Sequence, residues 1–253
     1  MKTHSIFIAT LVSLLSFSAF AAQPFCVAHR SLGYGGVENS LEAFEKASKA
    51  GAKAIEFDLL HTKDGKTIVQ HDGKFGRVTT GCGKRKITEM TLKEIKDHCK
   101  LNNGEAIPTL DEALAILSQY NSTLFIEFKD KTITKDDFSS IKSYYSARPD
   151  KIMIISFLKN ILLEVELKKE SDSFYKEVKT LQLKKIGFYA NIDDFDGISA
   201  KYINKNHVEK LQSMGKLVGV YTKDSEEKIQ KYLDKGVDFV TTNNSLLCES
   251  LIK

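Results

Sequence analysis

Little in this sequence would break a folded chain. Its 253 residues hold three prolines and no stretch rich in proline, serine and glycine, which excludes a long disordered segment. No internal repeat recurs, so a solenoid is excluded. The four cysteines, Cys26, Cys82, Cys99 and Cys248, form no Cys-x-x-Cys and no Cys/His cluster, which argues against structural zinc. No Gly-x-Gly-x-x-Gly follows the first apolar run, which counts against a dinucleotide-binding sheet. Arginine is scarce: only Arg30, Arg77, Arg85 and Arg148 stand among 37 basic residues. The lysines are scattered and interleaved with Asp and Glu, the pattern of a soluble surface. The one short basic run, Gly83-Lys84-Arg85-Lys86, lacks interleaved aromatics, so no nucleic-acid partner is expected.

What is present starts with a leader. Lys2, an apolar run from Ile6 to Phe20 and the small-x-small site Ala19-Phe20-Ala21 are the parts of a secretory signal peptide. The run is short for a membrane span, which needs roughly 20 residues. The expectation is a signal peptide at 1–21 and one domain at 22–253, exported, periplasmic or secreted, without stable membrane insertion. Lys2 is the only formal charge removed, so the net charge of +4 falls to +3. In an oxidising compartment Cys82 and Cys99 can close a short loop. Cys26 and Cys248 either pair as well or remain buried thiols; of the three connectivities, Cys82–Cys99 is preferred.

Beyond the leader, short apolar runs at 25–28, 54–58, 123–127, 152–156, 185–189, 197–201, 217–221 and 237–241 alternate with amphipathic stretches such as 38–49, 208–214 and 225–233. That rhythm belongs to an α/β protein with parallel strands. Eight runs suit a closed (β/α)8 TIM barrel, with an open doubly wound sheet as the competitor. Thr91-x-x-Glu94 and Thr109-x-x-Glu112 are capping boxes that mark helix starts. Asp64-Gly65 is a hairpin signal after the second strand, so the run at 67–71 should fold back and, if the turn centres on that pair, set His71 roughly opposite Asp58. Residues from about 61 to 107 then form a small insertion over one rim.

Chemistry in such barrels gathers at the carboxyl ends of the strands. There lie His29-Arg30, Glu56-Phe57-Asp58, the returning His71-Asp72, Glu127-Phe128-Lys129, Ser156-Phe157 and Tyr221. Side chains alternate along a strand, so Glu56 and Asp58 share a face. Carboxylates this close need a compensating charge. One hard divalent cation, Ca²⁺ or Mg²⁺, answers that need and takes oxygen ligands. Both histidines are then left for proton transfer, and Arg30 and Lys129 for a phosphate. His61, His98 and His207 have no such company in the sequence and read as surface or structural residues.

His29-Arg30 followed by Glu38-Asn39-Ser40-Leu41-Glu42-Ala43-Phe44 resembles the opening motif of the glycerophosphodiester phosphodiesterase family. The stretch from Gly51 to Asp58, with Thr62-Lys63-Asp64-Gly65 and Val69-Gln70-His71-Asp72, is similar to that family's second block. Ile107-Pro108-Thr109-Leu110-Asp111-Glu112, Ile126-Glu127-Phe128-Lys129, Ile155-Ser156-Phe157 and Gly236-Val237-Asp238 extend the likeness over the mature chain.

The resemblance implies a TIM barrel with a subdomain after the second strand. It implies Glu56, Asp58 and Glu127 as metal ligands, His29 and His71 as the acid–base pair, and Arg30 and Lys129 on the phosphate. Tyr221 stands where the family usually has Trp, and Glu38 would orient His29 or Arg30 beside the substrate. There are three departures. Ser31 replaces the usual Gly, Val37 replaces a Pro, and the usual Asp after the last strand is replaced within Thr241-Thr242-Asn243-Asn244.

The expected reaction is hydrolysis of a glycerophosphodiester to glycerol 3-phosphate and an alcohol. The competing functions are a phospholipase D-like or phosphatidylinositol-cleaving enzyme and a non-catalytic phosphodiester-binding protein. An enzyme acting on a bilayer should carry an apolar rim, whereas the segment 73–101 is heavily charged. A mere binder would not need an acid–base pair.

Overall fold

A computed structural model describes residues 23–187 and 194–252; the expected signal peptide lies outside them. The strands are β1 (Phe25–Ala28), β2 (Ala54–His61), β3 (Thr67–Val69), β4 (Thr79–Thr80), β5 (Lys100–Leu101), β6 (Thr123–Phe128), β7 (Ile152–Ser156), β8 (Lys179–Ile186), β9 (Gly197–Tyr202), β10 (Leu217–Val220) and β11 (Phe239–Thr242). Eight of them, β1, β2 and β6 to β11, close a parallel barrel. It seals where β1 pairs with β11 (Phe25↔Phe239) on one side and with β2 (Val27↔Ala54) on the other. The open-sheet alternative is excluded by that closure.

The helices are α1 (Leu41–Lys49), α2 (Leu92–His98), α3 (Leu110–Leu117), α4 (Lys135–Tyr145), α5 (Lys159–Ser171), α6 (Lys205–Ser213), α7 (Glu226–Leu233) and α8 (Ser245–Leu251). Thr91 and Thr109 cap α2 and α3 through reciprocal capping boxes with Glu94 and Glu112. No helix among the described residues is long and apolar enough to cross a membrane.

Alternation along each strand divides the core in two. Phe57, Ile126 and Phe128 point outward and pack on helices, Phe57 meeting Phe44 of α1 edge-on at 5.5 Å. Phe125, Met153, Ile155, Leu181, Leu183 and Phe239 fill the inside. Gly219 on β10 makes that filling possible, because a Cβ there would stand 2.0 Å from the Phe239 ring. Phe239 packs on Phe125 at 5.0 Å and on Phe25 at 5.6 Å, so three rings block the amino-terminal end of the barrel.

The strand expected at 185–189 forms earlier, as β8, and Tyr189 lies outside the described residues. Thr180 and Gln182 hid it, being buried polar residues inside the run. Thr180 is satisfied there: its hydroxyl donates to Glu166 at 2.5 Å and its backbone N–H to Asp196 at 2.8 Å.

The hairpin after β2 is as expected in kind but shifted by one residue. Leu59 pairs with Val69, and Gln70 donates its N–H to the Asp58 carbonyl at 3.0 Å, so Gln70 and not His71 faces Asp58. Beyond it, Phe75, Ile87, Met90, Ile95 and Leu101 form a separate small core. Disulfides join Cys82 to Cys99 within that core and Cys26 of β1 to Cys248 of α8, so both possible pairs form.

His61, at the end of β2, is a structural clamp. Its Nδ1 lies 2.9 Å from Asp130 and its Nε2 2.9 Å from Asp137 on α4. Burial disfavours its charge, but the hydrogen bonds and charges of the two aspartates prevail and push its pKa up to about 9. A raised pKa stabilises the fold fully below the unfolded value near 6.5 and ceases to do so as pH rises through 9. The whole shift corresponds to about 3 kcal/mol, which solvent screening reduces to about 1–2 kcal/mol. The gap in urea midpoint between the wild type and His61→Asn should therefore be largest near pH 6 and close by pH 10. A gap independent of pH would refute the clamp.

Candidate active site

The carboxyl ends of β1, β2, β6, β10 and β11 and the hairpin from β3 converge on one mouth. A cavity of about 220 Å³ opens there, lined by His29, Arg30, Glu56, His71, Glu127 and Lys129 on one side. Phe125, Ile155, Phe157, Leu183 and Tyr221 line the other side. One half suits charge and the other suits carbon. Of the residues singled out from the sequence, Asp58 and Glu38 lie just behind the polar half, and Asp111 and Glu112 serve α3.

Asp58 and Glu127 are neighbours in register on β2 and β6, and Glu56 lies two residues before Asp58 on the same face. All three are buried, and an oxygen from each lies within 4.8 Å of the others. Burial, Asp58 and Glu127 raise the Glu56 pKa well above the carboxylate range, and burial and Asp58 raise that of Glu127. Burial also opposes charge on Asp58, but Lys129 and Arg30 outweigh it and hold its pKa low. Lys129 Nζ sits 2.8 Å from Glu127 Oε1 and 3.0 Å from Asp58 Oδ1. The second contact lies outside hydrogen-bonding geometry, so Asp58 Oδ1 and Glu56 Oε1 are both buried without a hydrogen bond. Buried carboxylate oxygens that lack hydrogen bonds and lie this close together are the chemistry of a hard-cation site, and the residues fit one.

Backbone conformation sets the rest. Arg30 adopts a left-handed φ of 53°, which turns its N–H onto Glu56 Oε2 at 2.8 Å. Ser31, where the resemblance has Gly, follows at φ 60°. Such angles cost non-glycine residues about 1–2 kcal/mol, which accounts for glycine being the usual choice there. Asn39 is a third left-handed residue (φ 59°), and its amide donates to Asp58 Oδ2 at 2.9 Å. Glu38 accepts from Arg30 at 3.0 Å and from Arg77 at 2.6 and 2.8 Å; its contacts are with these arginines, not with His29.

The two histidines face the cavity from opposite banks of the chain, one from β1 and one from the hairpin. His29 Nε2 is 4.0 Å from Glu56, and its Nδ1 lies 2.7 Å from Asn243 Oδ1. His71 Nδ1 lies 2.7 Å from Asp72, which Arg77 holds at 2.6 Å. Burial and Arg30 hold the His29 imidazole below the usual histidine range. Burial does the same for His71, against the pull of Asp58. Sequence reasoning missed Asn39, Arg77, Asn243 and Asp224. Asn39 and Asn243 sat inside quoted stretches, whereas Arg77 and Asp224 carry no local signal.

Fold and mouth define a barrel enzyme, and its class is phosphoric diester hydrolase. The profile of the glycerophosphoryl diester phosphodiesterase family matches residues 29–247, and the chain belongs to that family. It is 30% identical over 254 aligned positions to a glycerophosphodiester phosphodiesterase of Bacillus subtilis (strain 168), covering 86% of this chain and 82% of that protein. Among solved structures it is similar to the glycerophosphodiester phosphodiesterase of Thermotoga maritima. That likeness has a TM-score of 0.68 and 26% identity, over 91% of this chain and 99% of the other. A phosphodiesterase of Oleispira antarctica, solved with the product sn-glycerol-3-phosphate, shares the fold at TM-score 0.76 and 22% identity, over 91% and 97%.

Proposed function

We propose that this protein hydrolyses glycerophosphodiesters to glycerol 3-phosphate and an alcohol, using one divalent cation, Ca²⁺ or Mg²⁺, and two histidines. The observation that carries the reading is the meeting of His29 and His71 with Glu56 and Glu127 in one cavity, with Asp58 completing the buried acidic cluster just behind it. Glu56, Asp58 and Glu127 would hold the cation, which when bound supplies positive charge to a phosphoryl oxygen. Arg30 and Lys129 meet the remaining phosphate charge, Arg30 while anchored by Glu38. Tyr221, whose hydroxyl donates to the Lys184 carbonyl at 2.9 Å, presents its ring to the organic part of the substrate beside Phe157.

One imidazole takes the proton of the attacking oxygen and the other gives a proton to the departing alcohol. Both rings are held at Nδ1, which leaves Nε2 for the substrate: the ring acting as base meets it with a free lone pair, and the ring acting as acid enters with a proton on Nε2. The named product in the Oleispira antarctica structure supports the glycerol phosphate end of the substrate. Two disulfides and the sequence of the leader support an exported protein.

The test is release of glycerol 3-phosphate from glycerophosphocholine by the purified protein. Activity should vanish on chelation and return with Ca²⁺ or Mg²⁺. Turnover that persists in excess chelator would remove the cation from the proposal, and turnover of intact phospholipid alone would replace the substrate.

A further inference from the structure

His29 is held by a residue that is itself held. Asn243, just past β11, presents Oδ1 to His29 Nδ1 at 2.7 Å. Its Nδ2 donates to Asp224 Oδ2 at 2.9 Å, and its backbone N–H donates to Asp224 Oδ1 at 2.8 Å. The Thr242 hydroxyl adds a third hydrogen bond to the same carboxylate at 3.3 Å. Asp224 lies in the loop after β10, so the chain of contacts links the ends of β10, β11 and β1.

An amide can be rotated by a half turn at little cost unless its neighbours distinguish oxygen from nitrogen. Asp224 does distinguish them. A carboxylate only accepts, so Nδ2 must face it, and a turned amide would set oxygen against oxygen. With Nδ2 committed, Asn243 can offer His29 only an acceptor. His29 must then carry its proton on Nδ1, and Nε2, which faces Glu56, is left with its lone pair in the neutral ring.

We propose that Asn243, fixed by Asp224, is a positioning residue that selects the reactive tautomer of His29. The proposal rests on the function given above but concerns residues outside the cavity lining. It also accounts for the departure at the end of β11. A carboxylate at position 243 would serve His29 equally as an acceptor but would face Asp224. In this chain the negative charge sits one residue further from the ring, and an amide transmits its orientation. His71 differs, since its Nδ1 meets the carboxylate of Asp72 directly.

A reciprocal exchange tests this. Losing an orienting partner of this kind costs on the order of 10–100-fold. Asp224→Asn, which frees the amide to turn, should lower kcat on glycerophosphocholine by about 30-fold with KM within about twofold. Asn243→Asp, which sets two carboxylates face to face, should lower it by about tenfold. The double variant restores one acceptor for His29 and one donor–acceptor pair behind it, so its kcat should return to within about threefold of the wild type. Losses that multiply in the double variant would overturn the proposal.

A second readout needs no turnover. In the ¹⁵N spectrum of the wild type, neutral His29 should show a protonated Nδ1 and an unprotonated Nε2. Asp224→Asn should mix the two tautomers. A wild-type His29 protonated at Nε2 would overturn the assignment even if the enzyme is active. A wild type that turns over no glycerophosphodiester would instead refute the function and leave the tautomer assignment standing on the spectrum.

Discussion

His29→Ala and His71→Ala should each lower kcat on glycerophosphocholine by about 10³-fold while moving KM little, because a general acid or base contributes roughly 10²–10⁴. The size of the loss follows from the absence of a substitute in the cavity. Lys129 is committed to Asp58 and Glu127. Tyr221 donates to a backbone carbonyl, and burial pushes its pKa up to about 12, too high to exchange a proton near neutrality. Glu56 and Glu127 belong to the acidic cluster. The double alanine variant should be barely slower than either single one, since a proton relay missing one end already fails as a unit. Steady-state kinetics on folded variants decides the matter. A loss smaller than about fivefold for either histidine would take that residue out of the chemistry.

The second large effect concerns stability. Replacing Cys26 and Cys248 together by serine should destabilise the protein by about 3–5 kcal/mol. Their bond closes a loop across 222 positions, so it restricts the unfolded chain far more than Cys82–Cys99, which spans 17. It also ties the first strand to the last helix, at a seam where β1 offers β2 only two paired residues. For a chain of this length the loss lowers Tm by on the order of 10 °C. Calorimetry of the double variant against Cys82→Ser/Cys99→Ser measures both contributions. A drop under about 2 °C would mean that the pair does not constrain the fold.

Much of the barrel was legible because its signals are local. Seven of the eight strands fall on apolar runs, and the capping boxes at Thr91 and Thr109 mark real helix starts. β8 was misplaced because Thr180 and Gln182 interrupt its apolar pattern, and their acceptability depends on neighbours from other segments. The hairpin was recognised from Asp64-Gly65, but its register was one residue out, because loop geometry rather than the turn dipeptide sets the pairing.

The cluster of Glu56, Asp58 and Glu127 could be inferred because strand alternation brings i and i+2 together. The residues that brace His29 and Glu38 beside it could not. Asn243 lies 214 positions from His29, and Arg77 lies 39 from Glu38, so only the closed barrel makes them neighbours. His61 shows the same limit from the other direction, since nothing near it in sequence announces Asp130 or Asp137.

The three phenylalanine rings beneath the cavity make the barrel a blind well. Substrate and both products must share one doorway, and whatever leaves first has to pass whatever is waiting to enter. Traffic through the mouth, and not through the body of the protein, then sets how soon the site is free again.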